Sequence, residues 1–355
     1  MTRAVPGAPV LADCLCRKGN IEVELNPEKS HVASQWAHER PLIACRFSPD
    51  GEYVFCGSED AVVTRFRLSD GAKTAFLNGH KTWVKAITFS ADGSHVITGG
   101  YDGQLTWWET AADAPTPIRQ LPAHGTHWIR ELTMAPDGQQ VASCGNDCAV
   151  RLWHPVTGAA VGELLSHEKH IYSVTYDPAG ERLFSGDLSG KICEWNLSSK
   201  SVERSLDGKE LWSFNTGQKV DFGGIRSLAC SADGKWLAAG GLYKASNPLG
   251  AVHEPLVLLF NLETGKIERK WVAEGISRGV VWRVRWLSDG SLVGVCGGGN
   301  GGFLLFWKPD AEKDYFRLKL PNIARDMDLH PDGLRIATAH HDKNVRITLM
   351  SDKQS

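Results

Sequence analysis

Three groups of residues in this chain have types and spacings that could do chemistry. Gly297-Gly298-Gly299-Asn300-Gly301-Gly302 satisfies the GxGxxG spacing of a dinucleotide-binding loop. That chemistry needs a strand before the glycines and a helix after them, whose N-terminus meets the pyrophosphate. Residues 303–307 instead read as another strand, so the glycines are expected to form a hairpin turn. His124-x-x-His127 and His167-x-x-His170 place imidazoles at a metal-ligand spacing, but no third ligand recurs beside either pair. Structural hydrogen bonding is therefore expected of them, and no metal. Nine cysteines include Cys14-x-Cys16 and Cys144-x-x-x-Cys148, neither of which has the spacing of a zinc site. HExxH, GxSxG and phosphate-loop motifs are missing, so no catalytic set and no cofactor is expected, and the chain reads as a non-enzyme. An odd number of thiols without dense pairing fits a reducing compartment, which makes the expected location cytoplasmic. The N-terminus lacks the sustained apolar segment of a secretory signal.

The elements that hold these residues follow from a repeat. The length of 355 residues suggests about two domains at roughly 150 residues each. One turn, however, recurs seven times: Ser48-Pro49-Asp50-Gly51, Ser90-Ala91-Asp92-Gly93, Ala135-Pro136-Asp137-Gly138, Asp177-Pro178-Ala179-Gly180, Ser231-Ala232-Asp233-Gly234, Leu287-Ser288-Asp289-Gly290 and His330-Pro331-Asp332-Gly333. The glycines are 42, 45, 42, 54, 56 and 43 residues apart. Apolar residues alternate on both sides of each turn, as in Ile87-Thr88-Phe89 and Val96-Ile97-Thr98, which is the pattern of a β-hairpin. A third strand follows (residues 104–108, 149–153 and 191–195), and a weaker fourth precedes the next unit (residues 74–77). The fold class is therefore all-β: a seven-bladed β-propeller of four-stranded antiparallel blades. The last unit supplies only three strands, at residues 327–330, 334–339 and 344–349. Residues 31–36 are expected to supply the missing strand and close the ring. The expected organisation is an N-terminal arm at 1–30, with one extra strand possible at 20–25, and a single propeller domain at 31–355.

The second unit carries His80, Thr98, Asp102 and Trp108, and the third His124, Ser143, Asp147 and Trp153. On these residues the chain, from about residue 31 onward, resembles the WD-repeat (WD40) family. The resemblance implies that each set forms a hydrogen-bonded tetrad inside its blade, and the donors and acceptors suit that role. Other units depart from the pattern. The first keeps His38 and Asp60 but has Cys56 and Phe66 at the hydroxyl and Trp positions. The fourth keeps His167, Ser185 and Trp195, with Ser189 where the Asp belongs. Units five and six lack the His and the Asp.

Stacking the repeats on their turns exposes a functional column. Seven residues before the turn Asp (or Ala179) stand Ile43, Lys85, Arg130, Tyr172, Arg226, Trp282 and Arg325, and two residues earlier Trp83 and Trp128 join them. The family resemblance implies that these positions lie at the mouth of the central channel, on the top face, where partner peptides bind. Four cations there stand out in a chain of 39 Lys+Arg, 41 Asp+Glu and net charge −2. Arg and aromatic residues are also the types enriched at interaction hot spots. Glu59 and Glu131 are the carboxylates that could neutralise the cations. The two long spacings mark insertions at about 207–224, carrying Trp212 and Phe214, and at about 242–255, both expected on the same face. The expected function is a protein–protein interaction scaffold holding a partner or peptide segment, acidic or phosphorylated. The alternatives are nucleic acid on the same cationic ring, against which the overall charge argues, or an enzyme using the channel. No membrane partner is expected: the apolar runs are far shorter than the roughly 18–20 residues of a spanning helix.

Overall fold

A computed structural model describes residues 24–245 and 253–353. Seven four-stranded antiparallel sheets stand around a common axis. Blade 1 runs Leu42–Phe47, Tyr53–Ser58, Val63–Arg67 and Lys73–Phe76, and blade 2 Val84–Phe89, His95–Gly100, Leu105–Glu109 and Arg119–Leu121. Blade 3 runs Ile129–Met134, Val141–Gly145, Ala149–Trp153 and Ala160–Leu165, and blade 4 Ile171–Tyr176, Arg182–Asp187, Lys191–Asn196 and Ser201–Asp207. Blade 5 is built from Ser227–Cys230, Trp236–Tyr243, Glu254–Asn261 and Ile267–Val272, and blade 6 from Val280–Trp286, Leu292–Gly298, Gly301–Trp307 and Phe316–Leu320. Blade 7 takes Ala324–Leu329, Arg335–His340 and Asn344–Leu349 from the end of the chain and His31–Ala37 from its start. His31 opposes Leu349 and Ala37 opposes Asn344, so the ring closes as the repeat arithmetic requires. Closure leaves no strand edge between first and last blades. The strand expected at 20–25 falls mostly outside the described residues, and Glu24 and Leu25 belong to no strand.

The recurring turn explains why the repeats are legible. In blade 1 the Gly51 N–H donates to the Ser48 carbonyl at 2.9 Å, and the Ser48 hydroxyl donates to Asp50. Gly51 takes φ +73°, a left-handed conformation that residues with a Cβ adopt only at a cost. The first strand of each blade lines the channel, and its neighbours pack between blades. Between blades 1 and 2, Phe55 meets Phe76 and Phe89 edge-on at 5.4 and 5.2 Å, and Phe76 meets Trp108 at 5.5 Å. Fully burying one such phenylalanine contributes roughly 1.5–3 kcal/mol. The glycine run at 297–302 is a hairpin turn: Gly298 pairs with Gly301 across Gly299-Asn300.

Six of the seven innermost strands share one irregularity. Pairing with the second strand skips a residue between Leu42 and Ala44, Val84 and Ala86, Ile129 and Glu131, Ile171 and Ser173, Val281 and Arg283, and Ala324 and Asp326. A β-bulge re-aims the side chain it leaves unpaired. The skipped residues are Ile43, Lys85, Arg130, Tyr172, Trp282 and Arg325.

Candidate partner-binding site at the channel mouth

The bulges assemble most of the column into one place. Lys85, Arg130, Tyr172, Arg226 and Trp282 line a cavity of about 60 Å³, with Tyr101 on its wall and Arg283 beneath. Arg226 arrives without a bulge: its N–H bonds the Gly240 carbonyl just ahead of the strand that starts at Ser227. Ile43 is buried, and its carbonyl accepts from Lys85 Nζ at 2.7 Å. Arg325 stands outside the cavity and is tied to Glu59 at 2.7 Å. Glu131, the other carboxylate expected to neutralise the column, does not reach Lys85, Arg130 or Arg226; it lies deeper, engaged by Arg283 and by the Ser173 hydroxyl.

Aromatic rings separate the cations. The Arg130 guanidinium lies over Trp128 at 4.7 Å and over Tyr172 at 4.4 Å, and Arg226 covers the same Tyr172 at 4.2 Å. Trp83 and Trp128 are 40% and 42% exposed, and Tyr101 stacks between them at 5.7 and 4.2 Å. Arg130 is oriented by two neutral acceptors, Asn146 Oδ1 at 2.8 Å and the Tyr101 hydroxyl at 3.0 Å, so these contacts leave its charge uncancelled. Burial pushes Lys85 down to about 8, against the pull of Asp326 and with the push of Arg283 and Arg46. Two donors at the cavity, Arg226 Nε and Trp282 Nε1, are buried without an acceptor among the described residues.

Tyr101 escaped the sequence reading, although a second column contains it. The N–H groups of Glu59, Tyr101, Asn146, Leu188 and His341 each donate to the carbonyl two residues before the mouth position: Pro41, Trp83, Trp128, His170 and Ile323. This bond recurs blade after blade and sets a second ring of side chains beside the first. In blades 1 to 3 its sequence signal is the residue just before the tetrad Asp; in blade 4 Leu188 instead follows Asp187.

Of the residues immediately after the mouth column, the sequence reading singled out Glu131 and missed Ser173, Arg283 and Asp326. There the channel holds a buried belt of opposite charges. Asp326 accepts from Arg46 Nη1 at 2.8 Å and Arg283 Nε at 2.7 Å, and Glu131 bridges Arg283 to Ser173. These cations hold Asp326 far below the usual carboxylate range despite its burial. Two arginines balance two carboxylates within the belt, and Asp326 also attracts the Lys85 ammonium above it.

The expected tetrads are present. His80 Nε2 meets Thr98 Oγ1 at 2.8 Å and its Nδ1 meets Asp102 at 3.3 Å, while Trp108 Nε1 donates to Thr98 at 2.9 Å. His124 repeats this with Asp147 and Ser143, both at 2.8 Å, and Trp153 Nε1 donates to Ser143 at 2.8 Å. Burial lowers the His124 pKa, so its neutral ring donates to Asp147 and accepts from Ser143. Blade 4 corrects the sequence alignment: the partner of His167 is Asp187 at 2.7 Å, two positions before the expected Ser189, which itself donates to Asp187. Blade 1 replaces the missing hydroxyl with Thr64, directly across from Cys56, at 3.3 Å from His38 Nδ1. These bonds account for His124 and His167; His127 is exposed, and the described residues hold no cluster of metal-ligating side chains.

The first insertion forms a hairpin, Trp212–Asn215 with Val220–Gly223. Phe214 is exposed, and Trp212 is half-buried, with Nε1 donating to Asp221, which also pairs with Lys169 at 2.8 Å. Its fellow aromatic Phe222 packs with Leu242, Ala245, Val280 and Trp282, linking both insertions to the mouth. Residues 246–252 of the second insertion fall outside the described residues. Among the described residues, no helix is long and apolar enough to cross a membrane.

Fold and tetrads define a repeat propeller of the WD type, and comparison with known proteins agrees. The model of the WD domain, G-beta repeat, matches residues 29–64, 71–109, 115–154 and 158–196. The first four repeats of this chain are thus similar to WD repeats. Apart from the closing strand His31–Ala37 of blade 7, the matched segments lie in blades 1 to 4, where a histidine meets both a hydroxyl and an aspartate; the degenerate blades follow them. WD repeat-containing protein 18 of Danio rerio is 31% identical over 205 residues, 54% of this chain and 46% of that protein. An uncharacterized WD repeat-containing protein of Schizosaccharomyces pombe is 24% identical over 170 residues, 45% of this chain and 46% of that one. The U3 small nucleolar RNA-associated protein 4 homolog of Mus musculus is 28% identical over 154 residues, 33% and 21% of the two chains. The chain thus spans less than half the length of each of these relatives.

Proposed function

We propose that the protein is a non-enzymatic scaffold that holds an acidic segment of a partner protein on its top face, in the cytoplasm. The observation that carries this reading is the mouth itself, where Lys85, Arg130 and Arg226 converge between aromatic rings and no carboxylate among the described residues lines the cavity. Trp83 and Trp128 extend an apolar, half-exposed platform beside it, and the aromatic insertion hairpin stands next to Trp282. A cationic centre flanked by rigid rings suits charge-assisted hydrogen bonds to an anionic chain packed against aromatic faces. The test is affinity capture with mass spectrometry, comparing the wild type with Lys85, Arg130, Arg226 and Arg325 all replaced by alanine. Partners that bind the mouth disappear from the quadruple variant. Unchanged capture by a folded variant overturns the reading.

The stacked Trp83–Tyr101–Trp128 rings also support a second reading, association with single-stranded RNA, because bases stack on such platforms. One similar protein is named as RNA-associated. Under that reading the captured material is lost on ribonuclease treatment, and binding falls steeply with salt.

A further inference from the structure

Blade 1 departs from the other six at one pair of opposed positions. In the innermost hairpin of every other blade a large apolar residue faces a hydroxyl, an alanine or a glycine, as Ile87 faces Thr98, Leu132 Ser143 and Val174 Ser185. Blade 1 has cysteine at both places, Cys45 facing Cys56. Cys56 is released from the tetrad because Thr64 supplies the hydroxyl that meets His38. The Cys45 N–H turns away from the hairpin to Asp326 at 3.2 Å, so the two cysteines form a non-hydrogen-bonded pair. Cα atoms in such a pair stand about 4.5 Å apart, within the span of a disulfide. Both side chains lie in the apolar cluster between blades 1 and 7, where they are free thiols, and Cys45 Sγ donates to the Ala337 carbonyl at 3.6 Å.

In the closed ring the pair is out of reach. Both residues are 0% exposed, and burial holds both thiols well above the ordinary range, in the protonated form that is a poor nucleophile. Their cover is the seam where the two ends of the chain meet. Its outer strand, His31–Ala37, buries none of its residues, whereas the outer strands of five other blades bury one each, such as Trp271 and Leu320. Trp36 fastens this strand to the cysteine cluster by stacking on Phe66 at 6.1 Å. Segments with so little buried apolar contact open locally before the rest of a fold. We infer that Cys45 and Cys56 are a redox couple: when blade 7 parts from blade 1, hydrogen peroxide oxidises them to a cross-strand disulfide, which records that the ring has opened. One thiolate attacks a peroxide oxygen and becomes a sulfenic acid, releasing hydroxide that leaves as water with the thiol proton. The second thiolate then attacks the sulfenic sulfur, forming the S–S bond and expelling a second water. Two thiols and one peroxide give one disulfide and two waters, and two electrons pass from sulfur to oxygen.

Hydrogen peroxide is the probe, added to the intact reduced protein and raised until the partly exposed Cys148 is oxidised. Remaining thiols are then blocked and the peptides are weighed by mass spectrometry. A pair linked through Cys45 and Cys56, lighter by two hydrogens than the reduced peptides, should appear, while the lone buried thiols Cys144, Cys193 and Cys296 stay reduced. Trp36→Ala loosens the closing strand without touching either sulfur and should speed the linkage by about fivefold or more. Leu165→Ala, at an exposed side chain of blade 3, should leave the rate unchanged. Cys45→Val and Cys56→Ser restore what other blades carry; each should abolish the linkage, and dimedone should trap the surviving thiol as its sulfenic acid. Peptides that stay unlinked once Cys148 is oxidised overturn the proposal, and so does linkage of either thiol to a different cysteine. An unchanged rate in folded Trp36→Ala overturns the opening of the seam. Hydrogen exchange on the wild type checks that opening without a variant: amides of Asn344–Leu349 should exchange faster than those of Lys191–Asn196, the equivalent strand of blade 4, and equal rates count against it.

Discussion

Replacing Arg283 by Met should expose how much the channel belt contributes to the ring. Arg283 is 3% exposed and joins two carboxylates that come from blades on opposite sides of the channel, Glu131 of blade 3 and Asp326 of blade 7. Met keeps the stem as far as the Nε position and removes the guanidinium with its charge. Asp326, itself fully buried, keeps one guanidinium bond, from Arg46 at 2.8 Å. Glu131 keeps the Ser173 hydroxyl at 2.6 Å, the Val174 N–H at 3.3 Å and a longer approach to Arg46 at 3.7 Å. The belt passes from neutral to one net negative charge in a place that water barely reaches. Leaving a buried charge uncompensated costs about 3–5 kcal/mol. Unfolding entropy of about 2.1 cal/mol/K per residue, over this chain, converts that to a fall in Tm of about 4–7 °C. Thermal unfolding followed by circular dichroism at pH 7 measures it. Glu131→Gln in the same background should recover part of the loss, because the two substitutions share one interaction and cannot add. A fall of less than about 1 °C, or strict additivity of the two, would refute the argument that the belt ties the innermost strands together.

Three further outcomes follow from other buried groups. Ser143→Ala removes the oxygen that serves both His124 Nε2 and Trp153 Nε1, and should cost about 1–3 kcal/mol in urea unfolding. Thr110→Val, at a buried hydroxyl with no partner among the described residues, should cost almost nothing. His340 is pushed down to about 4 by burial and by Arg346, with Nδ1 donating to the Asn322 carbonyl and Nε2 meeting Thr338. Its folded form resists the proton that the unfolded chain accepts near pH 6.5, so stability is full above that value and drains as pH falls toward 4. The loss from this one group is about 3 kcal/mol. His340→Gln should flatten the dependence of Tm on pH across that window, and a curve identical to wild type would refute the assignment.

The propeller was legible because each blade repeats the same local solution. A left-handed glycine, after an Asp in six of the seven turns and after Ala179 in the other, with alternating apolar residues on either side, is a local requirement, and Gly51 and its six counterparts write it into the chain. The mouth column was legible for the same reason: a residue at a constant distance from a constant turn occupies an equivalent place in every blade. His80 and His124 could be assigned their partners because a whole tetrad survives in each. Where a blade improvises, spacing fails. Asp187 serves His167 from an unexpected position, and Thr64 stands in for a hydroxyl from the neighbouring strand, because hydrogen bonding requires only an oxygen within reach and takes no account of register.

What the amino-acid sequence determined by itself was therefore periodic: the number of blades, their strand order, the closing segment and the identity of the residues presented to the channel mouth. Which charges remain free there was decided only by the closed ring. Glu59 reaches Arg325 across 266 residues, and Glu131 meets Arg283 across 152, while Lys85, Arg130 and Arg226 meet only neutral partners. The reason is geometric. Strands of different blades converge on one axis, so electrostatic partners are chosen by position around a circle, and separation along the chain carries no trace of that choice.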